Sequence, residues 1–287
     1  MADTFIYVND SHEGAGSEGF MQQPRRADLQ PQIFRGIGEL ARNQGASLLV
    51  HGGDITENGT PSQIQSAAAS LRERGLPVIA CLGNHDLAER GSLKHWRAAS
   101  SDSLKIADIT VSLSWIDVII LNNAWLGERA AEFYWKLGYK EGLLESQWNW
   151  LENELDSSQR PAILVVHASI DAIPPRLTGQ ATETHAPLAS YALRLRELLD
   201  RHPRVKLVLS GHNHVTCATV LETRLQLSTS SVIEPPFQVR LIRVQERELK
   251  VETLPVIEMP TNCVFHQEKA WTSGFAADQS LEMRWAT

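Results

Sequence analysis

Histidine, carboxylate and amide side chains recur in this sequence at short spacings just after apolar runs. Asp10 and His12 are two positions apart, so in extended backbone both point the same way and could hold one ion. Alone, such a pair is more often part of a solvated loop. Asp54 ends His51-Gly52-Gly53-Asp54, where it could cap a turn, although the glycines also permit close backbone approach. Asn84-His85-Asp86 follows Gly83 and offers an amide oxygen, an imidazole and a carboxylate in succession. His167 terminates the apolar run 163–166 and, by itself, reads more simply as a hydrogen-bonded histidine at a sheet end. His212 and His214, in Gly211-His212-Asn213-His214, again share a face at a period of two, which is a fair metal signal in its own right.

The elements that must position these groups are legible as periodicity. Residues 4–9 form an apolar run ending at Asn9-Asp10, and residues 47–51 and 77–81 predict two more strands. Between them, Leu29, Ile33, Ile37 and Leu40 recur at helical spacing, with Gly45 placed for a left-handed cap. A second helix opens with Thr60 as N-cap, Pro61 at the first position and Gln63 completing a capping box, and Gly75 closes it. This alternation favours parallel pairing. Residues 109–113 and 116–121 predict an antiparallel hairpin, because Ser114-Trp115 is too short for a parallel crossover. Leu144, Trp148, Leu151 and Leu155 predict a helix before the strand 162–166, and Leu188, Ala192, Leu195 and Leu199 predict another before the strand 205–209. After His214 the stretches 216–221, 225–229, 237–244 and 249–254 read as successive antiparallel strands, so two stacked sheets flanked by helices are expected.

Every candidate ligand follows a predicted strand, so all can converge at the carboxyl edges of one sandwich, which independent surface accidents would not do. The set holds imidazole, carboxylate and amide oxygen without thiolate, and suits Mn, Fe, Co, Ni or Zn. Seven candidates exceed what one ion takes from the protein if positions stay open for water and substrate, so two ions sharing a carboxylate are expected.

Asp10-Ser11-His12, Gly53-Asp54, Gly83-Asn84-His85-Asp86, His167 and Gly211-His212-Asn213-His214 together resemble the five-part signature of the calcineurin-like metallophosphoesterases, complete and in order across residues 10 to 214. The resemblance implies an α/β fold, a four-layered αββα sandwich of two mixed β-sheets flanked by helices. It implies that Asp10, His12 and His214 bind one ion, that Asn84, His167 and His212 bind the other, that Asp54 bridges them, and that His85 is the catalytic histidine. Manganese and iron are the favoured ions. Residues 54–59 and Asn84-His85-Asp86 are similar to the class III cyclic-nucleotide phosphodiesterase branch, and residues 142–151 resemble a stretch of that branch while also reading as helix core. Two positions depart from it. Asn9 precedes Asp10 where relatives usually carry serine, and Ala168 follows His167 where many carry a second histidine, which bears on substrate contacts.

The implied chemistry is phosphodiester hydrolysis in a nucleotide or small organic phosphate, by a hydroxide held between cations about 3.5 to 4 Å apart, with His85 protonating the leaving oxygen. Asp86 could hold the His85 ring or serve a structural hydrogen bond. A phosphomonoesterase would use the same cage, and a non-catalytic metal-binding scaffold is the rival from another class. The segment 125–139, with Phe133, Tyr134 and Trp135, could wall an organic substrate or form a homodimer contact. Arg176 and His185 could meet a phosphate or be ordinary loop residues.

Composition narrows the partners. The chain has 287 residues, 43% hydrophobic, enough for one large core, expected as a catalytic domain over 1–255 and a tail or cap over 256–287. A formal net charge of -7 without a basic block argues against general duplex nucleic-acid binding and leaves a small phosphorylated substrate as the expected partner. Cys81, Cys217 and Cys263 are too few and too widely spaced for a disulfide framework, which fits a reducing cytoplasm. No basic-then-apolar leader and no run long enough to span a bilayer is read, so neither export nor membrane insertion is expected.

Overall fold

The computed structural model describes residues 2–19, 22–126 and 140–286. The strands, in chain order, are β1 (Asp3–Val8), β2 (Leu48–His51), β3 (Val78–Ala80), β4 (Leu104–Ile106), β5 (Ile109–Ser112), β6 (Asp117–Leu121), β7 (Ala124–Leu126) and β8 (Lys140–Gly142). They continue as β9 (Ala162–Val166), β10 (Val205–Ser210), β11 (Cys217–Val220), β12 (Leu225–Ser228), β13 (Gln238–Gln245), β14 (Glu248–Pro255) and β15 (Ser280–Arg284). The helices are α1 (Gln30–Gln44), α2 (Pro61–Arg72), α3 (Ser92–Ala99), α4 (Glu145–Asp156), α5 (Pro175–Thr178), α6 (Ala189–Arg201) and α7 (Ala276–Gln279).

Two mixed sheets stack face to face. One runs β15-β14-β13-β1-β2-β3-β4 and the other β11-β12-β10-β9-β6-β5. The alternating start of the chain gives the parallel run β1-β2-β3, and β6, β9, β10 and β12 are parallel in the second sheet. The predicted hairpin is β5-β6. The strands β1, β2, β3, β6 and β9 bury both faces, as their uninterrupted apolar runs require. Phe5 and Tyr7 of β1 join Val50, Val118, Ile163, Val165, Leu207 and Leu209 between the sheets, whereas Ile6 and Val8 belong with the helices outside. Of the helical stripes, Ile33, Ile37, Ile64 and Leu71 of α1 and α2, and Trp148, Leu151, Leu195 and Leu199 of α4 and α6, are buried in that outer core. The result is helix, sheet, sheet, helix.

Caps follow the sequence except at Gln63 and at the end of α2, where Glu73 caps in a right-handed conformation two residues before the predicted Gly75. Gly45 ends α1 at φ 65°, and the Thr60 hydroxyl accepts from Gln63 N–H at the start of α2. The Gln63 carboxamide, however, accepts from Asn58 N–H rather than from Thr60, because the preceding turn folds over it. The strands after His214 differ from the expected single antiparallel series. β11 and β12 close one sheet, with β12 parallel to β10, while β13 and β14 cross to the other, where β13 lies antiparallel to β1. Alternation identifies strands but not their partners. Beyond β14 the chain turns back, and β15 adds an edge strand antiparallel to β14. Buried Asp278 pins this return through Arg176, whose guanidinium donates to both its oxygens at 2.6 and 2.8 Å. Arg176, in α5 rather than in a loop, therefore serves a structural contact. Among the described residues no helix is long and apolar enough to cross a membrane.

Candidate metal centre

The loops leaving β1, β2, β3, β9 and β10 meet at one rim of the sandwich, and backbone hydrogen bonds join them. Asp10 N–H donates to Gly53 O and His12 N–H to Asp54 O, both at 3.0 Å, and Gly211 N–H donates to His167 O at 3.1 Å. All seven ligand-type side chains proposed from sequence come together there. Asp10, His12, Asp54, Asn84, His167 and His214 are buried, and His212 is partly so. Donor atoms of Asp10, His12 and His214 lie within 4.8 Å of one another, as do those of Asp54, His167 and His212. Asn84 joins the second group, its Oδ1 3.0 Å from His212 Nδ1.

The backbone is bent to achieve this. Asp10, His12, Asp54, His212 and His214 all have φ between 44° and 66°, a left-handed conformation that costs a non-glycine residue on the order of 1–3 kcal/mol. Glycines make the room. A Cβ on Gly83 would stand 2.1 Å from Asp54 Oδ1, one on Gly53 2.6 Å from His167 Nδ1, and one on Gly211 2.6 Å from Asp10 Oδ2.

The electrostatics are those of a cage built for positive charge. His167 Nε2 is 3.2 Å from Asp54 Oδ2, and Asp10 Oδ1 is 3.4 Å from His214 Nε2, yet neither His167 Nε2 nor Asp10 Oδ1 makes a hydrogen bond. His12 Nε2 and His214 Nε2 face each other at 3.1 Å. Buried polar atoms that converge without ordinary hydrogen bonds carry a large desolvation cost unless positive charge, from protons or from a cation, lies among them. Burial lowers the His212 imidazole to about 3 and holds His12 well below its ordinary value. Burial also opposes charge on His167 and His214, but Asp54 lifts the first to about 9, and Asp10 with Glu234 lifts the second to about 10. Protonated histidine thus supplies charge that a bound metal would replace, releasing protons. The residues present fit two transition-metal ions.

His85 stands at the edge of the cage. Its backbone N–H donates to Asp54 Oδ1 at 2.9 Å, its Nδ1 is 2.8 Å from Glu57 O, and its Nε2 is 3.9 Å from Asp54 Oδ2. Asp86 serves the structural role that the sequence left open. It accepts from the N–H groups of Gly83, Ile55 and Thr56 and from the Thr56 hydroxyl, tying the Asp54 and Asn84 loops together. Asn9, the first departure from the branch pattern, donates through Nδ2 to Asp10 Oδ2 and to Thr229 O. Ala168, the second, is buried, and its N–H donates to Asn123 Oδ1.

Glu57, Glu234 and Arg25 were missed in the sequence reading. Glu234 Oε1 accepts from His214 Nδ1 at 2.8 Å, and Glu57 Oε2 lies 2.9 Å from His12 Nδ1. Nothing in their spacing marks them, since Glu234 is 20 positions from its partner. Beside His212 and Asn213 a cleft of about 340 Å³ opens, lined also by Lys140, Glu141, His185 and Leu188. His185 therefore faces the approach to the rim. Phe133, Tyr134 and Trp135 lie outside the described residues. Trp125 is buried with its ring 5.6 Å from that of His212.

Known proteins agree with this architecture. The chain is 27% identical over 200 residues, 70% of its length and 67% of the other, to a protein named "Probable cyclic nucleotide phosphodiesterase" from Synechococcus sp.. It is 26% identical over 245 residues, 82% of its length and 80% of the other, to a "Probable glycerophosphodiester phosphodiesterase GpdQ" from Arcobacter nitrofigilis. In fold it is similar to a dimetal phosphatase from Danio rerio, with 16% identity, TM-score 0.69, 89% of this chain and 97% of that one covered. Along residues 4–216, from β1 through the loop that carries His212 and His214, the sequence matches the calcineurin-like phosphoesterase family, and the chain belongs to that family of hydrolases.

Proposed function

We propose that this protein hydrolyses a phosphodiester bond in a nucleotide or other small organic phosphate. Asp10, His12 and His214 would hold one ion, Asn84, His167 and His212 would hold the other, and Asp54 would serve both. The observation that carries the reading is the convergence of these donors in one rim, with atoms of Asp10, His12 and His167 left buried and unsatisfied and His85 beside them. Two ions bound there supply Lewis-acid charge for the phosphoryl oxygens and lower the pKa of water.

The chain's own residues supply the rest. The left-handed loops and the glycines behind them hold the donors in place, so little reorganisation is needed when substrate arrives. His85, fixed by its backbone to Asp54 and by Nδ1 to Glu57 O, presents Nε2 toward the site. With Nδ1–H held on that carbonyl, Nε2 is the atom from which a proton passes to the departing oxygen. The cleft lined by Lys140 and His185 accommodates the organic part of the ester. Two relatives whose names specify diesters support that substrate class over monoesters. The donor set, free of thiolate, supports manganese or iron. Cys81, Cys217 and Cys263 are unpaired, which supports a reducing compartment such as the cytoplasm. Residues 1–255 carry the catalytic machinery, and 256–287 extend it through β15.

The test is an assay of Mn²⁺-reconstituted protein on matched aryl phosphodiester and phosphomonoester substrates, alongside His85→Ala. Selective diesterase activity that falls on the order of 10²- to 10⁴-fold in the variant is the expected result. Preference for the monoester overturns the substrate class. Full turnover in the variant overturns the role of His85, and bound metal without turnover on either ester favours a scaffold.

A further inference from the structure

Beside the cage, three charged residues from distant parts of the chain close a second network. His214 Nδ1 is 2.8 Å from Glu234 Oε1, and His12 Nδ1 is 2.9 Å from Glu57 Oε2. Arg25 reaches both carboxylates. Its Nη1 lies 3.1 and 3.3 Å from the two Glu57 oxygens, and its Nε lies 3.8 Å from Glu234 Oε1. Its neighbour fixes the registry, because Arg26 N–H donates to Ile233 O at 2.8 Å, one residue before Glu234. Glu234 is 1% exposed, so its charge has no purpose served by solvent.

We infer that Arg25, Glu57 and Glu234 form a positioning brace that sets the orientation and tautomer of His12 and His214. This rests on the proposed metal reading of the same site. His214 Nδ1 meets Glu234 in a hydrogen bond, so its proton resides there and Nε2 is left as the lone-pair donor, while His12 Nδ1 stands within ion-pair distance of Glu57 without an aligned hydrogen bond, and the brace assigns it the same tautomer. The two Nε2 atoms are indeed the ones turned toward Asp10 Oδ1, at 3.8 and 3.4 Å. His12, Glu57 and His85 also form a group whose donor atoms lie close enough for an ion. His12, however, spends its Nε2 on the Asp10 side and meets Glu57 through Nδ1, so Glu57 supports a ligand rather than being one. Arg25 offsets the carboxylates of Glu57 and Glu234, which with Asp10 crowd the two imidazoles.

The other half of the cage is held by different partners. His167 Nδ1 rests on Gly52 O at 2.8 Å, and His212 Nδ1 faces Asn84 Oδ1. Damage to the brace must therefore be local to one ion. Calorimetric Mn²⁺ titration of the full chain reads this directly for wild type, Glu234→Gln, Glu57→Gln and Arg25→Met, with thermal melting as the check on folding. Each variant is expected to bind one equivalent about 10- to 100-fold more weakly and the other unchanged. Arg25→Lys, which keeps the charge, is expected to recover part of the loss. Folded variants that bind both equivalents as wild type does overturn the brace alone, whereas a wild type that binds no metal pair overturns the metal reading on which it rests. Long-range ¹H–¹⁵N spectra of the Zn²⁺-loaded wild type give a second readout that needs no variant. Both rings protonated at Nδ1 support the brace, and protonation at Nε2 of either overturns it.

Discussion

β10 passes from one kind of region to another within ten residues. From Val205 to Ser210 it is regular strand, with Leu207 and Leu209 buried between the sheets, and from Gly211 to His214 it twists through two left-handed residues to deliver two imidazoles. The inter-sheet core is apolar, repetitive and locally unstrained. The rim carries buried charge, bent backbone and glycines that a single methyl group would jam. Each fully buried aliphatic side chain contributes about 1.5–3 kcal/mol, while each left-handed non-glycine residue costs on the order of 1–3 kcal/mol. The stable interface is what lets the rim stay distorted, so the two regions should fail in different ways.

The largest effect is expected in the core. Leu209→Ala should remove about 2–5 kcal/mol of stability, since Leu209 is fully buried between the sheets. Per folded molecule, metal stoichiometry should not change. Chemical denaturation paired with metal analysis checks both, and a variant that keeps its stability but loses metal would show that the two regions are not separable.

A smaller, pH-dependent effect marks the border between them. His51 ends β2 and is fully buried, with Nδ1 accepting from Gly53 N–H at 3.2 Å and Nε2 3.0 Å from Ser11 Oγ. Protonating Nδ1 would break the first bond. Burial lowers the imidazole from 6.5 to about 4, with Asp10 opposing only in part. Between those values the unfolded chain binds the extra proton and the folded one does not, so stability falls as pH falls. The contribution is fully present above about 6.5 and is lost toward pH 4, to a limit of about 3 kcal/mol. Unfolding free energies of the metal-free chain across that window should slope more steeply for wild type than for His51→Gln. Equal slopes would remove His51 from the account.

The difference between the regions also governs what sequence could reveal. Strands and helices of the core announce themselves because an apolar period repeats over many residues, as in Ile33, Ile37 and their neighbours or in the run Ala162–Val166. The candidate ligands were legible because each follows such a run, and Asp10 with His12 and His212 with His214 also pair at a period of two. Glu57, Glu234 and Arg25 were not, because their partners lie 45, 20 and 32 positions away or more and a solitary charge has no period. Pairing was equally hidden. Residues 217–228 and 238–255 look alike as hairpin sequence, but their assignment to opposite sheets depends on β10 and β1, far away in the chain. The segment beyond 255 showed little periodicity because β15 is a short, largely exposed edge that, with the adjoining Trp285, sets only Leu281 and Met283 against the core, while the turn leading into it is held by a polar contact, Arg176 with Asp278.

The subtlest prediction sits at the rim. Gly83 precedes Asn84, and its φ is not in the left-handed region, so alanine fits its backbone and the substitution tests space alone. The added Cβ would meet Asp54 Oδ1 at 2.1 Å and Asp54 N at 2.7 Å. Asp54 must then withdraw the oxygen that accepts from His85 N–H and that faces the cage. Overpacking of this kind costs about 1–3 kcal/mol, a modest shift in melting for a chain of this size. Metal occupancy should suffer more, because the displaced carboxylate is the one proposed to span both ions. Gly16→Ala, where nothing lies within 4 Å, is the matched control and should alter neither quantity. Retained Mn²⁺ after desalting of Gly83→Ala, together with an unchanged melting temperature, would show that the rim can relax as readily as an open loop and would remove the distinction between rigid cage and tolerant surface.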